Sequence, residues 1–185
     1  MAQTISVLSL KGGTGKTTTV RTLADVLRRL GLQVLTIDLD PQGNLSDYFD
    51  IPRDASPTVA DVLNGDARAK EAIHDGVIPS SLNLAEVERS LSGRMGREVV
   101  LKKALKDQRR AYDVILIDCP PALGLLTVNA VVAADYALVS TEAQYFSLQG
   151  VEQALEVIEL AKEMNGWAQV IRAPFEPQGA DVREL

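Results

Sequence analysis

Between Lys11 and Thr18 the chain reads Lys-Gly-Gly-Thr-Gly-Lys-Thr-Thr. Glycines at 12, 13 and 15 allow successive backbone N–H groups to turn inward and approach an anion closely. Lys16 adds a positive charge for terminal phosphates, and the hydroxyl of Thr17 is a hard oxygen ligand suited to Mg²⁺. Thr14 and Thr18 complete a nucleotide-binding stretch, Lys11 to Thr18, whose implied ligand is Mg-ATP. A flexible glycine turn with a chance Lys-Thr would not need a strand before it and an amphipathic helix after it. This sequence supplies both.

One position departs from the commonest phosphate loop, G-x-x-x-x-G-K-[ST], which would place glycine where this chain has Leu10. A second lysine, Lys11, stands directly before the glycine pair. Its charge sits too close to the backbone of its own loop to serve its own nucleotide easily. The spacing therefore favours a role in trans over a solvated surface charge.

Three carboxylates complete the candidate chemistry. Asp38, Asp40 and Asp118 each fall at or just beyond the end of an apolar run. In open parallel sheets, ligands bind beyond the carboxyl ends of the strands, so all three can face the phosphates. Asp118 suits a magnesium ligand, direct or through water, because Mg²⁺ prefers oxygen and retains waters. Asp40 has two candidate tasks, polarising the attacking water or contributing to the metal shell. Asp38 is a weaker metal candidate, and spacing does not separate it from Asp40.

The elements that must position these groups follow from periodicity. Ile5–Ser9, Val34–Ile37, Val114–Ile117 and Tyr136–Ser140 are continuous apolar runs, the pattern of strands buried on both faces. Val20, Leu23, Leu27 and Leu30 recur at helical spacing and Gly31 stops that helix. Further helices are predicted over Thr58–Leu63, Ala67–Ile73, Val99–Ala111, Leu125–Ala133 and Leu148–Met164, and one more strand over Ala168–Ile171. Strand, loop, helix, strand is the grammar of an α/β fold, a mostly parallel sheet flanked by helices on both faces. Residues 1–185 read as a single P-loop domain, with 165–185 looking like an incomplete C-terminal part.

On these residues the chain resembles the ParA/MinD group of ATPases. Lys11-Gly-Gly-Thr-Gly-Lys16-Thr-Thr is similar to their deviant Walker A motif. Asp38-Leu-Asp40-Pro-Gln-Gly-Asn44 resembles the next element of ParA-type partition proteins. Tyr112-Asp-Val-Ile-Leu-Ile-Asp118-Cys-Pro-Pro121 resembles their Walker B segment, and Glu142-Ala-Gln-Tyr-Phe-Ser-Leu-Gln-Gly150 the opening of their next long helix. The resemblance implies that Lys11 reaches the partner's nucleotide in a dimer, with Lys16 and Asp40 beside it as catalytic residues. It favours Asp40 for hydrolysis and Asp38 for support. It further implies homodimerisation on ATP binding, non-specific binding of double-stranded DNA, a ParB-like stimulating partner, and plasmid or chromosome segregation. Thr14, Ser140 and Gln144 differ from the commonest residues of that family. Two alternatives accompany this reading: a MinD-like positioning ATPase, and a shortened nucleotide-binding module without effective hydrolysis. A MinD-like role needs a C-terminal amphipathic helix, for which Gly179–Leu185 is short and polar.

Composition bounds the rest. The chain has 185 residues and a net charge of −6, which argues against a uniformly cationic nucleic-acid binder. Charge is uneven, however: Arg89 to Arg110 holds eight cations against two carboxylates. Lys102, Lys103, Lys106, Arg109 and Arg110 form a basic stripe, read either as the solvated face of a helix or as contacts to DNA phosphates. The single cysteine, Cys119, excludes an intramolecular disulfide and a cysteine cluster supplied by one chain. No basic leader or membrane-length apolar run is found, so a cytoplasmic protein without stable membrane insertion is expected, and the resemblance implies association with the nucleoid.

Overall fold

The computed structural model describes residues 1–9, 11–142, 147–165 and 169–175. In chain order the elements are β1 (Gln3–Leu8), α1 (Lys16–Arg29), β2 (Val34–Asp38), α2 (Asn44–Tyr48), α3 (Val59–Asn64), β3 (Val77–Ile78) and α4 (Leu84–Leu91). They continue with α5 (Val100–Ala104), α6 (Gln108–Ala111), β4 (Val114–Asp118), α7 (Leu125–Ala133), β5 (Tyr136–Glu142), α8 (Ser147–Asn165) and β6 (Gln169–Phe175). Short 3₁₀ turns lie at Ala69–Ala72 and Arg97–Val99.

The six strands form one sheet in the order β3-β2-β4-β1-β5-β6, and every pairing is parallel. A parallel neighbour needs a crossover, and the helices that provide it cover the sheet on two sides. Alternate residues of each strand therefore enter different cores. Val7, Val114 and Leu116 meet Val20, Ala24 and Leu45, the α1 and α2 side. Leu8, Ile115 and Ile117 meet Val59, Leu63, Leu101, Ala130 and Ile158 on the opposite side. Burial on both faces explains why these strands read as unbroken apolar runs.

The register sets the site. Val7 of β1 and Asp38 of β2 both lie level with Asp118 of β4, so two carboxylates share the carboxyl edge beside the phosphate loop. At the other edge, Arg109 bonds Asp135 at 2.7 and 2.8 Å, and Asp135 accepts the Thr4 N–H at 2.8 Å. That ion pair, 20% and 28% exposed at the side chains, ties α6 and the start of β5 to β1.

Three departures from the expected elements have physical causes. The helix predicted over Val99–Ala111 divides into α5 and α6. Lys106 donates to Lys103 O at 3.3 Å, an i−3 bond that tightens the turn and re-aims the second half. Leu105 and Gln108 stay buried across the break, while Arg109 swings to Asp135. Helix α4 has no counterpart among the expected elements, because only Leu84 and Leu91 are buried on it and its flanks are polar. Strand β3 has two residues, too few for a pattern, yet extends the sheet beyond β2. Among the described residues no helix is long and apolar enough to cross a membrane.

Candidate nucleotide and metal site

Helix α1 begins at Lys16 immediately after Gly15, which adopts a left-handed conformation (φ 82°), as does Gly13 (φ 80°). A side chain at either position would be strained, so glycine is required for this turn. Among the described residues no side chain caps the helix, and its first turn holds no acid. The first N–H groups of α1 thus have no partner within the helix, and its dipole favours an anion at that end. They open onto a cleft of about 500 Å³ lined by Gly12, Gly13, Gly15, Lys16, Thr17, Thr18, Arg21, Asp40, Gln42, Asn44, Tyr48 and Pro121.

A relay of hydroxyls braces the loop from behind. Ser140 on β5 donates to Thr14 at 2.9 Å, Thr14 Oγ1 donates to Ser9 Oγ at 2.9 Å, and Ser9 Oγ donates to Lys11 O at 3.1 Å. The Lys11 N–H returns to Ser9 Oγ at 3.1 Å. Thr14 and Ser140, two departures from the family's commonest residues, are therefore one interacting pair. Gln144, the third, lies outside the described residues, as do Leu10, the centre of the Glu142–Gly150 stretch and the Gly179–Leu185 end.

The two lysines are placed differently. Lys16 is 6% exposed, and its Nζ donates to Lys11 O at 3.0 Å. Burial lowers its pKa, an effect opposed by the carboxylates of Asp118 and Asp40. Lys11 is exposed and, although its backbone is held on both sides, its side chain is not among the groups lining the cleft.

The three aspartates also diverge. The Asp118 carboxylate, 1% exposed, accepts the Thr17 hydroxyl on Oδ2 at 2.6 Å. Its Oδ1 is buried with no hydrogen-bond partner among the described residues. Burial pushes this carboxyl up to about 7, with Asp38 and Asp40 adding to the rise and Thr17 and Lys16 opposing it. An orphaned carboxylate oxygen beside a threonine hydroxyl fits a divalent cation, which would replace the missing partner. No group of three or more His, Cys, Asp or Glu is gathered among the described residues.

Asp38 is turned to a different use. Its Oδ1 accepts Asp40 N at 3.1 Å, and its Oδ2 accepts Ser46 N at 2.9 Å and Ser46 Oγ at 2.7 Å. With both oxygens engaged and no exposure, it clamps the turn that presents Asp40. Burial lifts it to about 6 despite the Ser46 bonds. Asp40 itself lines the cleft and folds back on Gln42 N at 3.0 Å. Cys119 is buried against the site, its thiol raised well above its usual range first by burial and then by Asp118, so it serves packing.

Of the basic stripe, Lys103, Lys106 and Arg110 are exposed, Lys102 is half-buried, and Arg109 is held by Asp135. Sequence reasoning missed Arg21, Tyr48 and Asn44 as cleft-lining groups. Arg21 follows Thr17 by one helical turn, a spacing that could have pointed to it.

A family model described as an AAA domain matches residues 2–169. The chain is 39% identical over 170 residues to the sporulation initiation inhibitor protein Soj of Bacillus subtilis, covering 88% of this chain and 67% of that protein. It is 37% identical over 166 residues to the chromosome partitioning protein ParA of Myxococcus xanthus, covering 86% of this chain and 59% of that protein. The chain thus spans two thirds or less of the length of these curated relatives. Among solved structures, cobyrinic acid a,c-diamide synthase from Mycobacterium smegmatis with bound ATP analog and magnesium superposes with a TM-score of 0.88 at 35% identity. The match covers 94% of this chain and 75% of that one. On the family model and these relatives, the chain belongs to the ParA/MinD family of P-loop ATPases.

Proposed function

We propose that this chain is a ParA-like partition ATPase. Mg-ATP drives a sandwich dimer that holds duplex DNA without sequence preference, and a ParB-like partner stimulates slow hydrolysis and release in plasmid or chromosome segregation. The single observation that carries the ATPase reading is the orphaned Asp118 Oδ1 beside Thr17, at the foot of an uncapped, glycine-turned helix. ATP and Mg²⁺ are the ligands such a cradle fits.

Within the site, the backbone amides of residues 12–18 bind the phosphate oxygens and Lys16 takes the terminal phosphates. Thr17 and Asp118 hold the cation, which when bound neutralises charge that develops on the phosphates. Asp40 orients the attacking water from the open side of the cleft. Lys11, exposed and absent from the lining of its own cleft, serves the partner's nucleotide and acts as an arginine finger does. Lys11→Ala and Asp40→Ala are each expected to slow ATP turnover at least about a hundredfold, since one finger cation is worth about 10³-fold or more. Steady-state phosphate release checks this, and undiminished turnover in both variants refutes the scheme. Binding without turnover in the unaltered chain would instead indicate a passive nucleotide-binding module.

The DNA contact is assigned to the exposed cations Lys103, Lys106 and Arg110, with Lys102 beside them. Phosphate contacts release counterions, so affinity for random-sequence duplex in the presence of ATP falls steeply with salt. Replacing Lys103 and Lys106 by glutamine lowers the slope of log affinity against log salt by about 1 for each lysine replaced. An unchanged slope would assign the stripe to solvation alone. On this reading the protein acts in the cytoplasm, at the nucleoid.

A further inference from the structure

The triphosphate cleft contains a cation that the phosphate loop does not supply. Among the described residues, the cations lining it are Lys16 and Arg21, and the carboxylate lining it is Asp40. Arg21 makes no ion pair with a carboxylate among the described residues. Its guanidinium instead lies over the ring of Tyr48, 4.7 Å from the centroid. The ring is itself held, its hydroxyl donating to Asp25 Oδ2 at 2.7 Å and its edge meeting Phe49 at 5.0 Å and 80°. Tyr48 is 41% exposed, a large ring kept at the mouth of a polar cleft.

Arg21 stands four residues after Thr17 in α1, so the two side chains lie on the same face of the helix. Helical side chains lean toward the N-terminus, which carries the guanidinium back toward Thr17 and the phosphate end. The same cleft is lined by Asp40, Gln42 and Asn44, the segment that carries the water-orienting carboxylate. A guanidinium free of carboxylates at this place has a planar fork ready for phosphate oxygens.

We propose that Arg21 is a nucleotide-binding residue that senses the terminal phosphate, and that Tyr48 is the positioning residue that keeps its guanidinium in the cleft. This rests on the assignment of the cleft to Mg-ATP and adds a source of preference for ATP over ADP. The cation sits over the ring and makes no carboxylate pair among the described residues, so its N–H groups stay available to an anion.

Calorimetric titration of the full chain with Mg-ATP and with Mg-ADP tests the assignment. Arg21→Ala weakens Mg-ATP by about tenfold, as expected for loss of one charge-assisted contact, and Mg-ADP by less than about threefold. Arg21→Lys falls between, because a point charge replaces a fork. Tyr48→Phe, which keeps the ring but loses the Asp25 bond, shifts the ATP-to-ADP ratio less than Tyr48→Ala, which moves it toward that of Arg21→Ala. Should Arg21→Ala melt early without nucleotide, the ratios of Arg21→Lys and Tyr48→Ala decide. Unaltered chain that binds neither nucleotide sinks the Mg-ATP reading and this assignment with it. An unaltered chain that binds, with an ATP-to-ADP ratio that Arg21→Ala leaves in place, overturns the assignment of Arg21 alone.

Discussion

Lys16→Ala will abolish measurable Mg-ATP binding, weakening it by about a hundredfold or more. Lys16 is the buried cation of the cleft, at 6% exposure. Its ammonium already lies 3.0 Å from Lys11 O, so little side-chain motion remains to be lost when it turns to a phosphate. Hydrogen bonds to charged groups contribute roughly 1.5–3 kcal/mol each, more where water is excluded. Loss of two such bonds accounts for the hundredfold. Removing the lysine also leaves Asp118 without a nearby cation that opposes its raised pKa. A fluorescent ATP analogue titrated into both proteins reads the difference. Binding within about threefold of the unaltered chain would show that the amides alone carry the affinity.

The second large effect joins function to stability. Asp118→Asn will abolish Mg²⁺-dependent ATP binding, and without nucleotide or metal it will raise the melting temperature at pH 8 by about 5 °C. In the folded chain burial holds the Asp118 carboxyl at about 7, against 3.8 for the free group. The folded state therefore binds this proton up to about pH 7, whereas the unfolded chain releases it near pH 4. The contribution to stability is greatest below pH 4, falls as pH rises through 7, and levels off above. At pH 8 the charged, orphaned carboxylate costs roughly 4 kcal/mol, of which asparagine, neutral at every pH, recovers a part. Asp38, lifted to about 6, gives a second decline of the same sign in the parent and the variant alike. Thermal melts at pH 5 and pH 8 isolate Asp118: the gain is largest at pH 8 and shrinks at pH 5, where the folded parent is already protonated and only its unfolded chain is ionised. A gain equal at both pH values, or no gain at pH 8, would contradict the origin assigned to it. Binding of the cation must also displace that proton, so Mg-ATP affinity rises with pH up to about 7.

The sequence carried the phosphate loop nearly whole, because its chemistry depends on glycine and lysine spacing within eight residues. Gly13 and Gly15 adopt the left-handed turn that their type allowed, and Lys16 opens the expected helix. The strands were legible for another local reason, burial on both faces, which leaves no polar alternation in Val34–Asp38 or Val114–Asp118. What escaped was decided by long-range partners. Arg109 looked like part of a basic stripe until Asp135, 26 residues on, claimed it. Asp38 looked like a rival of Asp40 until Ser46 occupied its second oxygen. Thr14 and Ser140 looked like two unrelated departures, and only the β1–β5 pairing brings them together across 126 residues. Arg21 was hidden because its task depends on Tyr48, contributed by a different helix.

The central claim is that the amides of residues 12–18 and the Lys16 ammonium grip a triphosphate at the N-terminus of α1. A crystal structure of the chain grown with Mg-ATP tests it most directly. The account predicts phosphate oxygens within hydrogen-bond distance of those amides and of Lys16 Nζ, with magnesium between the phosphates, Thr17 and Asp118. A triphosphate lodged elsewhere, or a cation that leaves Asp118 Oδ1 still unpartnered, would contradict it.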